Sequence, residues 1–388
     1  MMEKSGTDRL LERLTIKRFR RVAPSRYTAM QACLLREVWT ASGNDPLLPP
    51  SPRAELGSIA HRVIEAAGRG ELEGSRSEGI AERWEALVSA AEARMKLCPL
   101  RRYQVPLSRS ISDFQVRRLR TCSRAVEIAR DARRDTIRPP GQSHRAAGFE
   151  LWVESDDGEV GGFIDCVSET SEGVVLSDYK SGAVLESEYE ECPGEIKKAY
   201  RIQMLLYAAL YRHKTGSWPI RLEVIPLQGA PLEVPLDPRE AEHHLQEGKM
   251  SLRAANKRIA AVQGGTSDAT ELAAAQPEHC RLCLFRPACK AYWLARQRNE
   301  AGKWPADVRG VLEESARLRN GKVCLRIRVA ASPSIYSRTV RGVTDSVDRH
   351  PLLAGMPIGT CIAVYGLRHD YRSGDYIETQ NTVIYRND

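Results

Sequence analysis

Gly162-Phe163-Ile164-Asp165 and, a short turn later, Val174-Val175-Leu176-Ser177-Asp178-Tyr179-Lys180 decide how this chain is read. Both segments are rich in β-branched and aromatic residues, and Ser171-Glu172-Gly173 between them is a turn signal, so together they predict a strand hairpin. The hairpin brings Asp165 and Asp178 near one another at a strand end. Two close carboxylates repel unless a cation lies between them, and oxygen ligands suit Mg²⁺ or Mn²⁺. Lys180, two residues past Asp178, projects to the same side of its strand. There it can orient or activate an attacking water while a metal ion stabilises charge on a phosphate. Alone, Asp178-x-Lys180 is a weak motif, because strand-capping aspartates and solvated lysines produce the same pattern.

The surroundings strengthen it. Before the hairpin, Gly57-x-x-x-His61 falls on one face of a helix that resumes near Ala54; after it, Gln203-x-x-x-Tyr207 falls on one face of a helix over 195–214. A first helix starts at Pro24-Ser25, with Ser25 as its cap and Tyr27, Met30, Leu34 and Val38 at helical spacing. Residues 77–134 read as mostly helical, with breaks near Cys98-Pro99 and Ser108. A strand over 149–153 and the turn Asp156-Asp157-Gly158 lead into the hairpin, and short strands over 222–226 and 231–235 and a helix over 238–262 follow it. Past Trp304-Pro305 the pattern is all-β, with strands over 323–329, 334–343, 360–367 and 376–385.

A chain of 388 residues with 42% hydrophobic composition is long enough for two domains, each with a core. No apolar run approaches the ~18 residues of a membrane span, and the charged first 21 residues do not read as a secretory signal, so a cytoplasmic protein is expected. A net charge of +8 favours acidic partners such as nucleic acid. No phosphate-binding G-x-x-x-x-G-K-[ST] loop is present, which excludes an ATP-driven motor in this chain. Ten cysteines in a reducing compartment point to metal ligation or burial rather than disulfides. Cys280-x-x-Cys283 with Cys289 is a compact triplet, Cys33 stands far away, and thiolates so spaced can bind zinc or an iron–sulfur cluster. Cys98, Cys122, Cys166, Cys192, Cys324 and Cys361 lack ligand spacing and read as small buried hydrophobes.

In this order, Gly57 and His61, then Asp165, Asp178 and Lys180, then Gln203 and Tyr207 closely resemble the RecB-like branch of the PD-(D/E)XK nuclease superfamily. That branch includes the AddAB nuclease domains and the CRISPR-adaptation nucleases. The resemblance covers residues 25–293 and implies an α/β fold: a restriction-endonuclease-like core over 1–303 with a helical insertion at about 76–137. It implies that His61, Asp165 and Asp178 are ligands of Mg²⁺ or Mn²⁺, with the Tyr179 carbonyl adding another, and that Lys180 is the catalytic lysine. Gln203 and Tyr207 would organise the site or touch the DNA strand. Glu150 occupies a position where such nucleases often carry an acidic residue. Cys33 with Cys280, Cys283 and Cys289 resembles the [4Fe–4S] staple of AddB-type and CRISPR-adaptation nucleases, which ties the chain's two ends around the core. The family's first-helix cysteine is often followed by proline, whereas Leu34 follows Cys33 here.

The implied activity is that of a metal-dependent deoxyribonuclease, an exonuclease on single-stranded DNA or duplex ends, serving repair, recombination or phage defence. A separate helicase or defence-complex subunit is an expected partner. The competing expectation is a non-catalytic DNA-binding scaffold, which would not need Asp165, Asp178 and Lys180 intact. Arg117, Arg118, Arg120, Arg124, Arg130, Arg133 and Arg134 either track a phosphate backbone or form a solvated helix face. Residues 304–388 look like a small all-β OB-like domain, closed by strands over 359–366 and 376–385. Its Tyr336, Tyr365, Tyr371 and Tyr376 would stack bases, pack the barrel or dock a partner.

Overall fold

The computed structural model describes residues 6–72, 77–137, 145–186, 194–298, 303–319, 322–329, 338–344, 349–353, 355–370, 372 and 374–387. Among the described residues, seven α-helices precede the first strand: α1 (Gly6–Glu12), α2 (Pro24–Ala32), α3 (Leu34–Ala41), α4 (Pro52–Gly68), α5 (Ser77–Leu97), α6 (Leu107–Ser110) and α7 (Phe114–Ile137). Strands β1 (Arg145–Glu154), β2 (Gly161–Glu169) and β3 (Val174–Lys180) follow, then α8 (Lys198–Thr215), β4 (Arg221–Pro226), β5 (Leu232–Val234) and α9 (Pro238–Gln263). Two short helices, α10 (Pro277–Cys280) and α11 (Lys290–Arg298), carry and follow the cysteine triplet. The C-terminal strands are β6 (Val308–Arg317), β7 (Val323–Val329), β8 (Arg338–Thr344), β9 (Cys361–Tyr365), β10 (Arg368–His369), β11 (Tyr376–Ile377) and β12 (Val383–Arg386). Tyr336, Tyr371 and Cys192 lie outside the described residues. Among the described residues, no helix is long and apolar enough to cross a membrane.

The first sheet runs β1-β2-β3-β4-β5. Its pairs are antiparallel except β3–β4, which is parallel because α8 carries the chain back across the sheet. Ile164, Leu176, Leu222 and Val224 share a hydrophobic cluster with α8, whose residues 202–211 are all buried. Phe149, Cys166 and Tyr179 share another with Ile64 of α4 and Ile128 of α7. Helices thus cover both faces, and the sheet is the middle layer of three. Helices α4, α5 and α7 hold a further core around Trp84, Ile80, Met95 and Phe114. Each such side chain stabilises by about 1.5–3 kcal/mol on burial.

Several expectations need correction. The first helical stretch is broken in two at Cys33, whose φ of −159° is extended, and Ser25 sits inside the first turn while Ala23 occupies the cap. Strand β6 stands where no strand is expected from the residue pattern. The strand expected over 376–385 is interrupted, into β11 and β12, and the short β10 lies just past the strand expected over 360–367, which β9 fills in part.

The second sheet runs β10-β11-β8-β7-β6-β9-β12, with β8 and β11 parallel and every other pair antiparallel. Its core is built from Val308, Leu312, Leu325, Ile327, Ile362 and Val364. Ala363 and Tyr365 instead face the main core. There the Trp293 indole N–H donates to the Tyr365 hydroxyl at 3.3 Å, and the Tyr385 hydroxyl donates to the Leu47 carbonyl at 2.6 Å. Tyr365 is 1% exposed, so the expectation that it stacks nucleic-acid bases is overturned.

Candidate active site

The β2–β3 ladder ends at Cys166 paired with Ser177. Beyond it the strands part, and the Asp165 carboxylate takes the place of the next ladder partner by accepting the Tyr179 N–H at 2.8 Å. Asp178 is 2% exposed. Its Oδ1 accepts from Gln203 Nε2 of α8 at 2.8 Å; its Oδ2 lies 2.5 Å from Lys180 Nζ but receives no hydrogen bond of acceptable geometry. Lys180 Nζ donates to Gln203 Oε1 at 3.1 Å and stands 4.7 Å from the centre of the Tyr200 ring. Gln203 therefore bridges the aspartate and the lysine, and Tyr200 holds the ammonium from one side by cation–π attraction. On α4, His61 Nδ1 lies 3.7 Å from Asp165 Oδ2.

Burial sets the electrostatics. It pushes the Asp165 carboxyl well above the usual carboxylate range, and the charge of Asp178 pushes further. Burial holds the His61 imidazole below its ordinary value, favouring the neutral ring that can ligate a cation. Burial, then the charges of Asp178 and Asp165, keep the Tyr207 phenol protonated. Glu150 is raised by burial and then by Glu65. Its φ of 55° is left-handed, a strained conformation for a residue other than glycine, and such strain concentrates at functional sites.

Asp165, Asp178, Lys180, His61, Gln203 and Tyr207 line one cavity of about 660 Å³. Glu150 stands in an adjoining cavity of about 700 Å³ with Glu65 and Arg69, and His61 and Phe163 line both. A buried carboxylate, a half-buried one and an imidazole held neutral are a donor set that fits a hard divalent cation. Among the described residues, no three His, Cys, Asp or Glu side chains already converge as a metal cluster. Instead, Lys180 Nζ rests against Asp178.

The arginines of α7, read as either a phosphate track or a solvated helix face, are partly taken up by the protein itself. Arg117 binds Asp113 and the Ser181 carbonyl, Arg118 binds Glu85, and Arg124 binds Glu127 and the carbonyls of Pro226 and Gly229. Arg120 and Arg130 remain exposed. Cys33, Cys280, Cys283 and Cys289 line one small cavity together with Arg36 and Arg286. Burial pushes the thiols of Cys280, Cys283 and Cys289 up. Tyr200, against Lys180, and Glu65, beside Glu150, also stand at the site although the sequence assigned neither of them to it; Glu65 follows His61 by one helical turn, a spacing that shares a face.

A carboxylate pair and a lysine at the end of a mixed sheet, backed by a helix glutamine, could hold a divalent cation and orient a water on a phosphate ester. The model of the PD-(D/E)XK nuclease superfamily matches residues 21–290, and the chain belongs to that superfamily, whose members are usually metal-using nucleases. No curated protein matches the chain.

Proposed function

We propose that the protein is a metal-dependent deoxyribonuclease of the RecB-like branch, an exonuclease on single-stranded DNA or duplex ends. The observation that carries this reading is the meeting of Asp165 and Asp178 with Lys180 in one cavity. Asp165, Asp178, His61 and the Tyr179 carbonyl would hold Mg²⁺ or Mn²⁺. When bound, the ion supplies charge stabilisation to the phosphoryl oxygens. Lys180, aimed by Gln203 and Tyr200, orients the attacking water and neutralises charge building on the phosphate. Tyr207 keeps its hydroxyl proton and offers it to the substrate strand. Glu150, strained into the adjoining cavity, receives the strand on the far side of His61.

The four cysteines are assigned to a [4Fe–4S] staple. In its support, all four cysteines line one cavity, and Arg286 beside it donates to the Cys283 carbonyl. The C-terminal sheet is assigned an OB-like barrel. If β9 with β10 and β11 with β12 each count as one interrupted strand, β6 pairs with the fourth strand and β8 runs parallel to the fifth, which closes the sheet. Repair, recombination or defence in the cytoplasm, beside a separate helicase or defence subunit, is the role this reading implies.

The test is cleavage of end-labelled single-stranded and duplex DNA by anaerobically purified protein with Mn²⁺, beside matched RNA. Metal-dependent shortening of the DNA from an end is expected, and intact DNA at every metal concentration would overturn the reading. For the staple, brown protein with about four irons per chain is expected, whereas colourless protein containing zinc would exclude it.

A further inference from the structure

Phe163 is 50% exposed, although it lies two residues before Asp165 on β2 and lines both cavities of the site. A solvent-facing strand position ordinarily takes a polar residue. Across the ladder Phe163 pairs with Trp152, and the two rings meet edge-to-face with centroids 4.8 Å apart. The Arg21 guanidinium covers the Trp152 ring at 4.8 Å and is itself tied to Glu154 at 2.8 Å. Trp152 is thus clamped between a cation and a neighbouring ring, while Phe163 is steered by Trp152 and left open to the cavity.

Two strand residues span about 7 Å, on the order of one nucleotide. A flat, π-faced group resting on Phe163 would therefore sit about one nucleotide from the carboxylates. In a duplex the faces of the bases are covered by stacked neighbours, so only an unpaired or terminal base has a face to offer. We propose that Phe163 is a base-stacking platform that selects unpaired nucleotides at the catalytic cavity, with Trp152 and Arg21 as its positioning residues. This rests on the nuclease reading above for what lies next to the platform.

The test uses the full-length protein in chelator, so that binding is read without cleavage. The probe is a single-stranded oligodeoxynucleotide carrying 2-aminopurine at successive positions. Wild type is expected to raise the fluorophore's emission at one position near the end, where the base leaves its stacked neighbours for the Phe163 ring. Phe163→Ala should bind about ten-fold more weakly, and Phe163→Trp should recover most of the loss. Deleting the base at that position should weaken wild type by the same factor yet leave Phe163→Ala no weaker than before. Because the side chain is exposed, thermal unfolding of Phe163→Ala should match wild type and confirm an intact fold. Equal binding by Phe163→Ala, or no effect of base deletion at any position, overturns the platform even if wild type cleaves DNA. Base-dependent binding through Phe163 in a protein that cleaves no nucleic acid would uphold the platform and sink the nuclease reading.

Discussion

Lys180 Nζ touches three groups at once: the Asp178 carboxylate, the Gln203 amide oxygen and the Tyr200 ring. That restraint fixes its direction, and a fixed charge aimed at the reacting phosphate is worth far more than a mobile one. Lys180→Ala should lower the single-turnover cleavage rate by at least about 100-fold while leaving DNA affinity within a few-fold of wild type. A rate within a factor of two would remove the lysine from the chemistry. Asp165 leads to a second prediction. Its carboxyl is raised by burial and then by Asp178, so the folded chain keeps a proton that the unfolded chain has already released. Above the unfolded value near 4, each increment of pH therefore costs folded stability, until the raised folded value is passed and the loss levels off. In chelator, wild type should lose thermal stability across that interval. Asp165→Asn should lack this slope and melt higher at neutral pH, although it is inactive. Mn²⁺ should raise the melting temperature of wild type more at the upper end of the interval than at pH 5, because protons compete with the cation there. Melting curves in chelator and in Mn²⁺ at several pH values decide it.

At the scale of elements, the close approach of α4 to the end of β3 sets the site. A Cβ on Gly57 would lie 2.7 Å from Ser181 Oγ, and the Ser181 carbonyl is fastened to Arg117 of α7 at 2.9 Å. Only the rotatable hydroxyl is that close, Ser181 Cβ being 3.8 Å away, so Gly57→Ala should be accommodated by rotation of the hydroxyl, with activity within about two-fold of wild type and little loss of stability because alanine favours the helix. Gly57→Leu, which that rotation does not clear, should press on the residue after Lys180 and lower activity about ten-fold through misplacement. Steady-state rates of the two variants check this. Much of this architecture was legible. Strands β1 to β3 announce themselves by turn signals at Asp156-Asp157-Gly158 and Ser171-Glu172-Gly173, and α9 by its cap and long period. Strand β6 was not legible because Glu313-Glu314 breaks its alternation where the ladder register shifts between Leu312 and Glu314. The break at Cys33 was hidden because Leu34 and Val38 continue the helical phase across a single extended residue. Phe163 and Tyr365 show the limit of composition: both are aromatic strand residues, yet one is open to the site and the other 1% exposed. Partners contributed by distant elements decide which.

For the whole molecule, the decisive group is Asp307, whose side chain is fully buried. It accepts from Arg286 Nε at 2.6 Å, the Tyr292 hydroxyl at 2.9 Å and the Gly366 N–H at 2.9 Å. One carboxylate therefore joins the cysteine segment, α11 and the C-terminal sheet. Arg286 also donates to the Cys283 carbonyl at 2.8 Å and lines the four-cysteine cavity. Removing one partner of a buried pair leaves the other charge without compensation, at a cost of about 3–5 kcal/mol. Asp307→Ala should therefore destabilise by that order in denaturant unfolding, and Asp307→Ala with Arg286→Met should recover part of it. If the cysteines hold a cluster, Asp307→Ala should also lower iron and sulfide content although every thiol is intact, because Arg286 no longer braces the loop that carries Cys283. The same variant with full iron content and an unchanged denaturation midpoint would show that the sheet and the cysteine segment are held together by apolar packing around Trp293 and Tyr365 instead.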